Sequence, residues 1–201
     1  MRQREKDRIR NKDLFLKSAE VLFEEKGYFN TSMEEIADKA GFSKGTIYNY
    51  FDGKDHLLVE SVDVVFSNLN SSIDEIFPAS KSLSEGIKKY IHLSFEILEN
   101  KRNFYLAMMS EAFKQECLPK EQIHRKVFEG MGVFLEKLKM HIEQFEDELN
   151  PKISSNDLAL MIISITTGSV GQWIAAGGEF NLLDKEKVIF ELILNGSLKK
   201  M

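Results

Sequence analysis

The chain has 201 residues, of which 43% are hydrophobic and 29% charged, and its formal net charge is −5 at pH 7. This balance is typical of a soluble globular protein and excludes a disordered or fibrous chain. One cysteine, Cys117, excludes an internal disulfide, so we expect a reducing, cytoplasmic compartment. The first dozen residues are charged and lack the apolar core of a secretory signal.

The charge is unevenly distributed along the chain. Residues 1–17 carry seven Lys or Arg and three Asp or Glu, a local charge of +4. A basic end on an acidic body is compatible with contact to nucleic-acid phosphates at that end alone. We therefore expect a basic arm, from Arg2 to Lys12, to add non-specific attraction to DNA, with a flanking minor groove as one place for it.

Two helices are predicted at the start of the chain. An apolar stripe over residues 14–23 recurs with helical spacing, and Gly27 is the expected residue that ends this first helix. Thr31 or Ser32 caps a second helix. Two glutamates follow in its first turn, where carboxylates complement the helix dipole.

A third short helix completes a helix-turn-helix over about Met33–Asp52. Gly41 stands where the turn between the helices requires a positive φ. The third helix is predicted from Ser43 to about Tyr50, with Ile47 as its buried anchor. Any two amphipathic helices joined by a glycine turn would show the same pattern, so the fold alone leaves DNA binding open.

The rest of the chain predicts long helices and no convincing strand. They are expected at about Lys54–Ile76, Ser84–Glu99, Arg102–Gln115, Lys120–Glu148, Ser155–Ala176 and Lys185–Asn195. The fold class is therefore all-α: an N-terminal three-helix helix-turn-helix domain, residues 1–54, plus a larger C-terminal helical domain for ligand binding and dimerisation, residues 55–201.

The side chains predicted to be exposed on the third helix favour DNA over a merely solvated helix. A solvated face usually carries Glu, Lys and Gln, whereas this one offers two tyrosines, an asparagine and a threonine. Asn49 and Thr46 can reach base edges, and Tyr48 can donate to a phosphate. The predicted DNA-binding residues are Thr31, Ser32, Ser43, Lys44, Gly45, Thr46, Tyr48, Asn49, Tyr50 and Lys54.

The segment from Phe15 to Leu58 resembles the TetR family of one-component transcriptional regulators. The agreement lies at Ala19, Phe23, Gly27-Tyr28, Thr31, Ile36-Ala37, Ala40-Gly41, Ser43, Gly45, Tyr48, Phe51, Lys54 and Leu57. Phe42 and Tyr50 stand where the family frequently has Val and His. The resemblance implies a symmetric homodimer whose last two helices pair into a four-helix bundle and whose recognition helices enter successive major grooves.

The stretch from Leu158 to Gly178 holds no charge over 21 residues, about the length of a membrane span. Its glycines, serines and threonines make it too polar and too small for a lipid-facing helix, so a protein–protein seam is favoured. On the family's pattern this seam implies dimer-interface residues, which are Ile162, Ile165, Gly168, Val170, Trp173 and Ile193.

The middle helices are rich in aromatic residues and methionine. Most of these residues are expected to form a hydrophobic core, while some could line a cavity for an apolar or amphipathic small-molecule effector. The candidate ligand-binding residues are Phe66, Phe95, Phe104, Tyr105, Met108, Met109, Phe128, Met131 and Trp173.

Signals for catalysis or a metal are weak. Glu121 and His124 have the spacing of half a carboxylate di-iron site, but the second half is missing. Cys117 has no evident histidine partner. We therefore predict no enzyme activity, no metal and no cofactor. The leading function is a transcriptional repressor that an effector releases from a palindromic operator; the alternative is a helical protein-interaction module without operator recognition.

Overall fold

The computed structural model describes residues 3–106 and 120–197. Every regular element within these ranges is helical, which confirms the all-α class. The helices are α1 (Gln3–Lys26), α2 (Met33–Lys39), α3 (Lys44–Ile47), α4 (Lys54–Ile76), α5 (Leu83–Asn100), α6 (102–106), α7 (Lys120–Glu143), α8 (Ser155–Ala175) and α9 (Glu186–Ser197), with 3₁₀ turns at Glu146–Glu148 and Leu182–Lys185.

The chain divides into two compact units. The first comprises Met1–Val64 and Asn103–Val127, and the second comprises Val65–Arg102 and Phe128–Met201. The first unit extends past residue 54 because it includes the first turns of α4, where Leu57 is buried. The functional division into residues 1–54 and 55–201 stays a prediction.

The first unit confirms the predicted start of α2 and the two predicted glycine turns. Ser32, not Thr31, caps α2: its hydroxyl accepts from the Glu35 amide at 3.2 Å, and its own amide donates to the Glu35 carboxylate at 2.9 Å. This reciprocal pair satisfies two amides that a helix start leaves unbonded. Gly27 and Gly41 both have φ of +80°, so the left-handed conformation expected at the end of α1 and in the turn is present.

Lys54, at the start of α4, fastens the loop between α1 and α2. Its ammonium donates to the carbonyl oxygens of Tyr28 at 2.5 Å, Thr31 at 2.8 Å and Phe29 at 3.3 Å. It also lies 4.4 Å from the centre of the Tyr28 ring, and the Tyr28 hydroxyl bonds to the Asp55 carboxylate. A charged donor with three carbonyl acceptors and an aromatic face is bound tightly.

In the second unit, the C-terminal half of α4 packs closely on α7. A Cβ at Gly130 would lie 2.4 Å from Cγ of the Phe66 ring, so only glycine permits this approach. Further along, the Asp74 carboxylate accepts from the Lys137 ammonium and pairs with His141 Nε2 at 3.1 Å. The bonds from Lys137 and then His141 hold the pKa of Asp74 below its usual value.

Two predicted helices are shorter than expected. The last helical residue of α3 is Ile47 rather than Tyr50, because the Asn49 and Tyr50 amides bond three residues back, at 3.1 and 3.0 Å. In the same way α7 ends at Glu143 rather than Glu148 and gives way to a 3₁₀ turn.

Of the helices within the described ranges, α8 alone is long and apolar enough to cross a membrane by length and composition. The same criterion is met by core helices of soluble proteins. One face of α8 is buried, including Leu158, Ile162 and Trp173. A capping box of Ser154 and Asp157 closes its start.

We predict that Gly130→Ala destabilises the second unit by about 1–3 kcal/mol, because the added methyl group meets the Phe66 ring near its attachment to the backbone. Urea unfolding followed by the fluorescence of Trp173, the one tryptophan, measures this. The matched control is Gly132→Ala on the same helix, where a Cβ meets nothing within 4 Å. It should stabilise α7 by about 0.5–1 kcal/mol; equal effects of the two variants would contradict the prediction.

We predict that Lys54→Met lowers the stability of the first unit by about 1–3 kcal/mol, because three carbonyl oxygens lose a charged donor while the aliphatic stem stays. Hydrogen exchange at residues 27–32 should accelerate. Lys39→Met is the control: exposed Lys39 pairs only loosely with Glu25, at 3.7 Å. Equal losses of stability in Lys54→Met and Lys39→Met would show that the Lys54 bonds do not hold the loop between α1 and α2.

Candidate nucleic-acid interface

The segment around α3 is held at both ends by Phe15 of α1. The buried Phe15 ring lies 4.9 Å from the ring of Phe42, before α3, and 5.3 and 6.2 Å from the rings of Tyr50 and Phe51, after it. Ile47 is also fully buried. The contacts of Phe15 and the burial of Ile47 therefore fix the backbone of α3 on its inner side. The opposite side of α3 faces solvent.

The solvent face of this segment carries the predicted polar residues. Lys44, Gly45 and Asn49 are exposed, and 47% of the Tyr48 side chain is accessible. Thr46 is half-buried. The Ser43 hydroxyl lies 2.8 Å from the Thr46 hydroxyl and makes no capping bond to α3. Asn49 therefore presents an amide with both a donor and an acceptor, the combination that pairs with an adenine edge.

Tyr50 has a mixed position. Its ring packs on Phe15, and its hydroxyl accepts from the Asn11 side-chain amide at 3.2 Å. A phenol that accepts one bond keeps its own hydrogen, which a phosphate oxygen can receive. Tyr50 was predicted to be exposed and to donate to a phosphate or contact a thymine methyl. It is half-buried between α1 and α3, and its contact with DNA stays a prediction.

Thr31 and Lys54, both predicted to contact DNA, bond to backbone carbonyl oxygens instead. Thr31 is 2% exposed, and its hydroxyl donates to the carbonyl oxygens of Gly27 at 2.9 Å and Leu22 at 3.2 Å, so no surface is left for DNA. The Lys54 ammonium is taken up by three carbonyl oxygens, which argues against a phosphate contact. Ser32 is exposed at the N-terminus of α2, where free amides favour an anion.

The basic arm predicted at residues 2–12 is helical from Gln3 onward. It forms the first turns of α1, and Arg4, Arg8 and Arg10 are exposed. Lys12 is paired with Glu60 of α4 at 2.7 Å. A rigid extension that carries arginines can contact phosphates along the duplex but does not have the extended shape that enters a minor groove.

Carboxylates lie beside the cations of the interface. The Lys44 ammonium donates to Glu34 of α2 at 3.1 Å, and this bond raises the pKa of Lys44. Glu35 accepts from Lys26 at 2.5 Å and from Ser32, and these bonds lower its pKa to about 2. Both helices of the motif thus carry fixed charges at neutral pH. The pairing of Lys44 with Glu34, ten positions apart across the turn, was not foreseen from the sequence.

The predicted ligand residues have unequal environments. Phe95, Phe104, Tyr105 and Trp173 are buried, Phe66 and Met131 are half-buried, and Phe128 is 74% exposed. Burial, with a smaller contribution from Glu20, raises the pKa of Tyr105. Met108, Met109 and Cys117 lie outside the described residues, as does the side chain of His124. Phe128 is therefore at the surface rather than in an enclosed cavity.

The residues predicted to form the dimer interface differ in their exposure. Ile162, Trp173 and Ile193 are buried inside the chain, which corrects the expectation that a monomer would expose them. Ile165 and Val170 are half-buried and Gly168 is exposed, so these three stay predictions. Sequence reasoning missed the large apolar side chains that are exposed on α8 and α9: Leu160, Met161, Val188 and Leu192. Leu160 and Met161 share helical spacing with Gly168 on α8, which was the available signal on that helix.

Comparisons with known proteins agree with this geometry. The family model described as bacterial regulatory proteins, tetR family, matches residues 15–60. The biofilm operon icaADBC HTH-type negative transcriptional regulator IcaR of Staphylococcus aureus is 26% identical over 152 residues, 76% of this chain and 78% of IcaR. The uncharacterised HTH-type transcriptional regulator YerO of Bacillus subtilis is 28% identical over 130 residues, 63% of this chain but only 43% of YerO.

Solved structures share the fold along most of the chain. The transcriptional regulator FadR of Bacillus subtilis, in complex with stearoyl-CoA, superimposes with a TM-score of 0.72 at 19% identity, covering 91% of this chain and 97% of FadR. The fold, the helix-turn-helix and its match to the family model lead to one conclusion. The helix-turn-helix over residues 15–60 is that of the TetR family of bacterial transcriptional regulators.

Proposed function

We propose that this protein is a sequence-specific DNA-binding repressor that acts as a homodimer and is released from its operator by a small amphipathic ligand. The observation that carries the proposal is the exposed face of Lys44, Tyr48 and Asn49 on a segment whose backbone is fixed by Phe15. A protein-interaction module without operator recognition would not need these groups.

The proposed contacts follow from the chemistry of each side chain. Asn49 reads a base edge in the major groove, because its amide can bond an adenine twice. Tyr48 and the Ser43–Thr46 hydroxyl pair donate to phosphates or contact a thymine methyl. Lys44 contacts a phosphate. The arginines at the start of α1 add a sequence-independent attraction that weakens with salt.

The proposed dimer seam is the exposed apolar face of α8 and α9. Leu160 and Met161 lie on α8 about two turns before Gly168. Val188 and Leu192 lie about one turn apart on α9. A two-fold axis through such a face would bury these side chains against their own copies. Small residues on α8, such as Gly168 and Gly171, would allow the backbones to approach.

The proposed effector is an amphipathic molecule that carries a hydrogen-bond acceptor. Trp173 is fully buried, yet its indole N–H has no acceptor among the described residues. The Arg102 guanidinium lies 5.8 Å from the centre of the indole. An oxygen of a ligand would satisfy the indole N–H.

We propose a binding function without catalysis, in the cytoplasm, where an operator is accessible. No group of three His, Cys, Asp or Glu suited to a metal occurs in the part of the chain that the structure describes. The neighbouring FadR structure holds stearoyl-CoA as a ligand, which makes this compound the first effector to test here.

The function is tested by selecting bound sites from a random pool of duplex DNA. We expect a palindrome whose half-sites are about 10 base pairs apart, centre to centre. Asn49→Ala should relax base preference at one position in each half-site, with a loss of about 1–3 kcal/mol of discrimination. Asn100→Ala, an exposed change on α5, should leave the motif intact. The absence of any enriched motif would favour the protein-interaction alternative.

The seam is tested by Leu192→Glu. Leu192 is 63% exposed, so the change should leave the fold of the monomer intact while placing a charge in an apolar interface. We expect the dissociation constant of the dimer to rise about 100-fold or more, measured by sedimentation equilibrium. Leu192→Met keeps the apolar surface and should stay dimeric. A Leu192→Glu variant that remained a dimer would place the interface elsewhere.

The effector is tested by titrating stearoyl-CoA into the complex with the selected site. We expect a change in Trp173 fluorescence and release of DNA, because the ligand favours the state with lower DNA affinity. Trp173→Phe removes only the indole N–H and part of the ring, so the affinity for stearoyl-CoA should fall about 3- to 10-fold. Neither a fluorescence change nor release would exclude this effector class.

A further inference from the structure

The ion pair between Lys44 and Glu34 includes the lysine that is proposed to contact a DNA phosphate. Lys44 is the first residue of α3, and Glu34 lies in the first turn of α2, across the turn of the motif. Their charged atoms are 3.1 Å apart. The side chains are 57% and 60% exposed, so solvent and other partners can reach both.

The fold of the motif does not depend on this pair. Ile36, Ala37 and Ile47 are fully buried between the helices. The turn itself is closed by the Phe42 amide, which donates to the Ala37 carbonyl oxygen at 2.9 Å. An ion pair between two exposed side chains contributes little to stability beside such packing. The pair therefore contributes little to holding α2 against α3.

A phosphate oxygen and the Glu34 carboxylate are equivalent partners for an ammonium group. Lys44 is cationic at neutral pH with or without Glu34, because the ordinary pKa of lysine is about 10.4. No other hydrogen-bond acceptor is recorded for the Lys44 ammonium among the described residues. The Lys44 ammonium has three donors, so a phosphate can bind it beside Glu34 or in place of Glu34. In both cases the phosphate lies close to the Glu34 carboxylate, which repels it.

We propose that Glu34 is an affinity-setting residue that competes with DNA phosphate for Lys44 and so lowers the affinity of the protein for every duplex. This inference rests on the proposed DNA-binding function. Glu34 in this role weakens DNA binding. The opposite role would be to hold Lys44 in position for DNA, and in that case removal of the carboxylate would weaken binding.

The test is a double-mutant cycle on the full chain, with a labelled duplex of random sequence and with the selected operator. Glu34→Gln should tighten binding to both duplexes by about two- to fivefold for each half-site, because one competing charge is lost. Lys44→Gln should weaken binding. In the Lys44→Gln background, Glu34→Gln should have no further effect if Glu34 acts through Lys44.

Glu25→Gln is the matched control, since Glu25 pairs with Lys39 at 3.7 Å and its loss changes the net charge equally. It should change affinity less than Glu34→Gln does. Melting temperatures of all variants should agree, which excludes a merely structural effect. Unchanged or weaker binding by Glu34→Gln, or an equal gain in the Lys44→Gln background, would overturn the proposal while the DNA-binding function stands. A wild-type chain that binds no duplex would overturn both.

Discussion

A helix of four residues cannot hold its own shape in water, so the geometry of α3 is imposed by what packs against it. Phe15 supplies that constraint, because its ring contacts Phe42 on one side of α3 and Tyr50 and Phe51 on the other. Aromatic pairs of this kind contribute about 0.5–1.5 kcal/mol each beyond the area they bury. The backbone between the two fixed ends needs no further ordering when a partner binds, so only the exposed side chains lose conformational freedom.

Five lysines of the first unit form ion pairs with carboxylates of the same unit, while the arginines at the start of α1 are exposed. Ion pairs join Lys12 to Glu60, Lys17 to Asp13, Lys26 to Glu35, Lys39 to Glu25 and Lys44 to Glu34. The net charge of the chain therefore says little about the potential at the recognition face. What matters is how readily a phosphate displaces each carboxylate, and that depends on exposure rather than on the count of charges.

Features of the fold that depend on near neighbours in sequence were predictable, and those that depend on distant ones were not. The cap near Ser32 and the left-handed Gly41 follow from residues within one turn. Lys54 was singled out, but its three carbonyl partners lie more than twenty positions away, and helical spacing carries no information about them. Trp173 and Ile193 are apolar on helices whose two sides are both apolar, so periodicity could not decide which side faces the core.

The small size of the recognition face makes a second copy necessary for selectivity. Each base pair that is read correctly contributes about 1–3 kcal/mol, and a face the size of α3 reaches few of them. The proposed dimer, formed through the exposed apolar residues of α8 and α9, would double that free energy and fix the spacing of the two recognition faces. Doubling applies to unfavourable contributions as well. A competing carboxylate that costs each half-site about twofold costs the dimer about fourfold, so a weak surface ion pair becomes a determinant of operator occupancy.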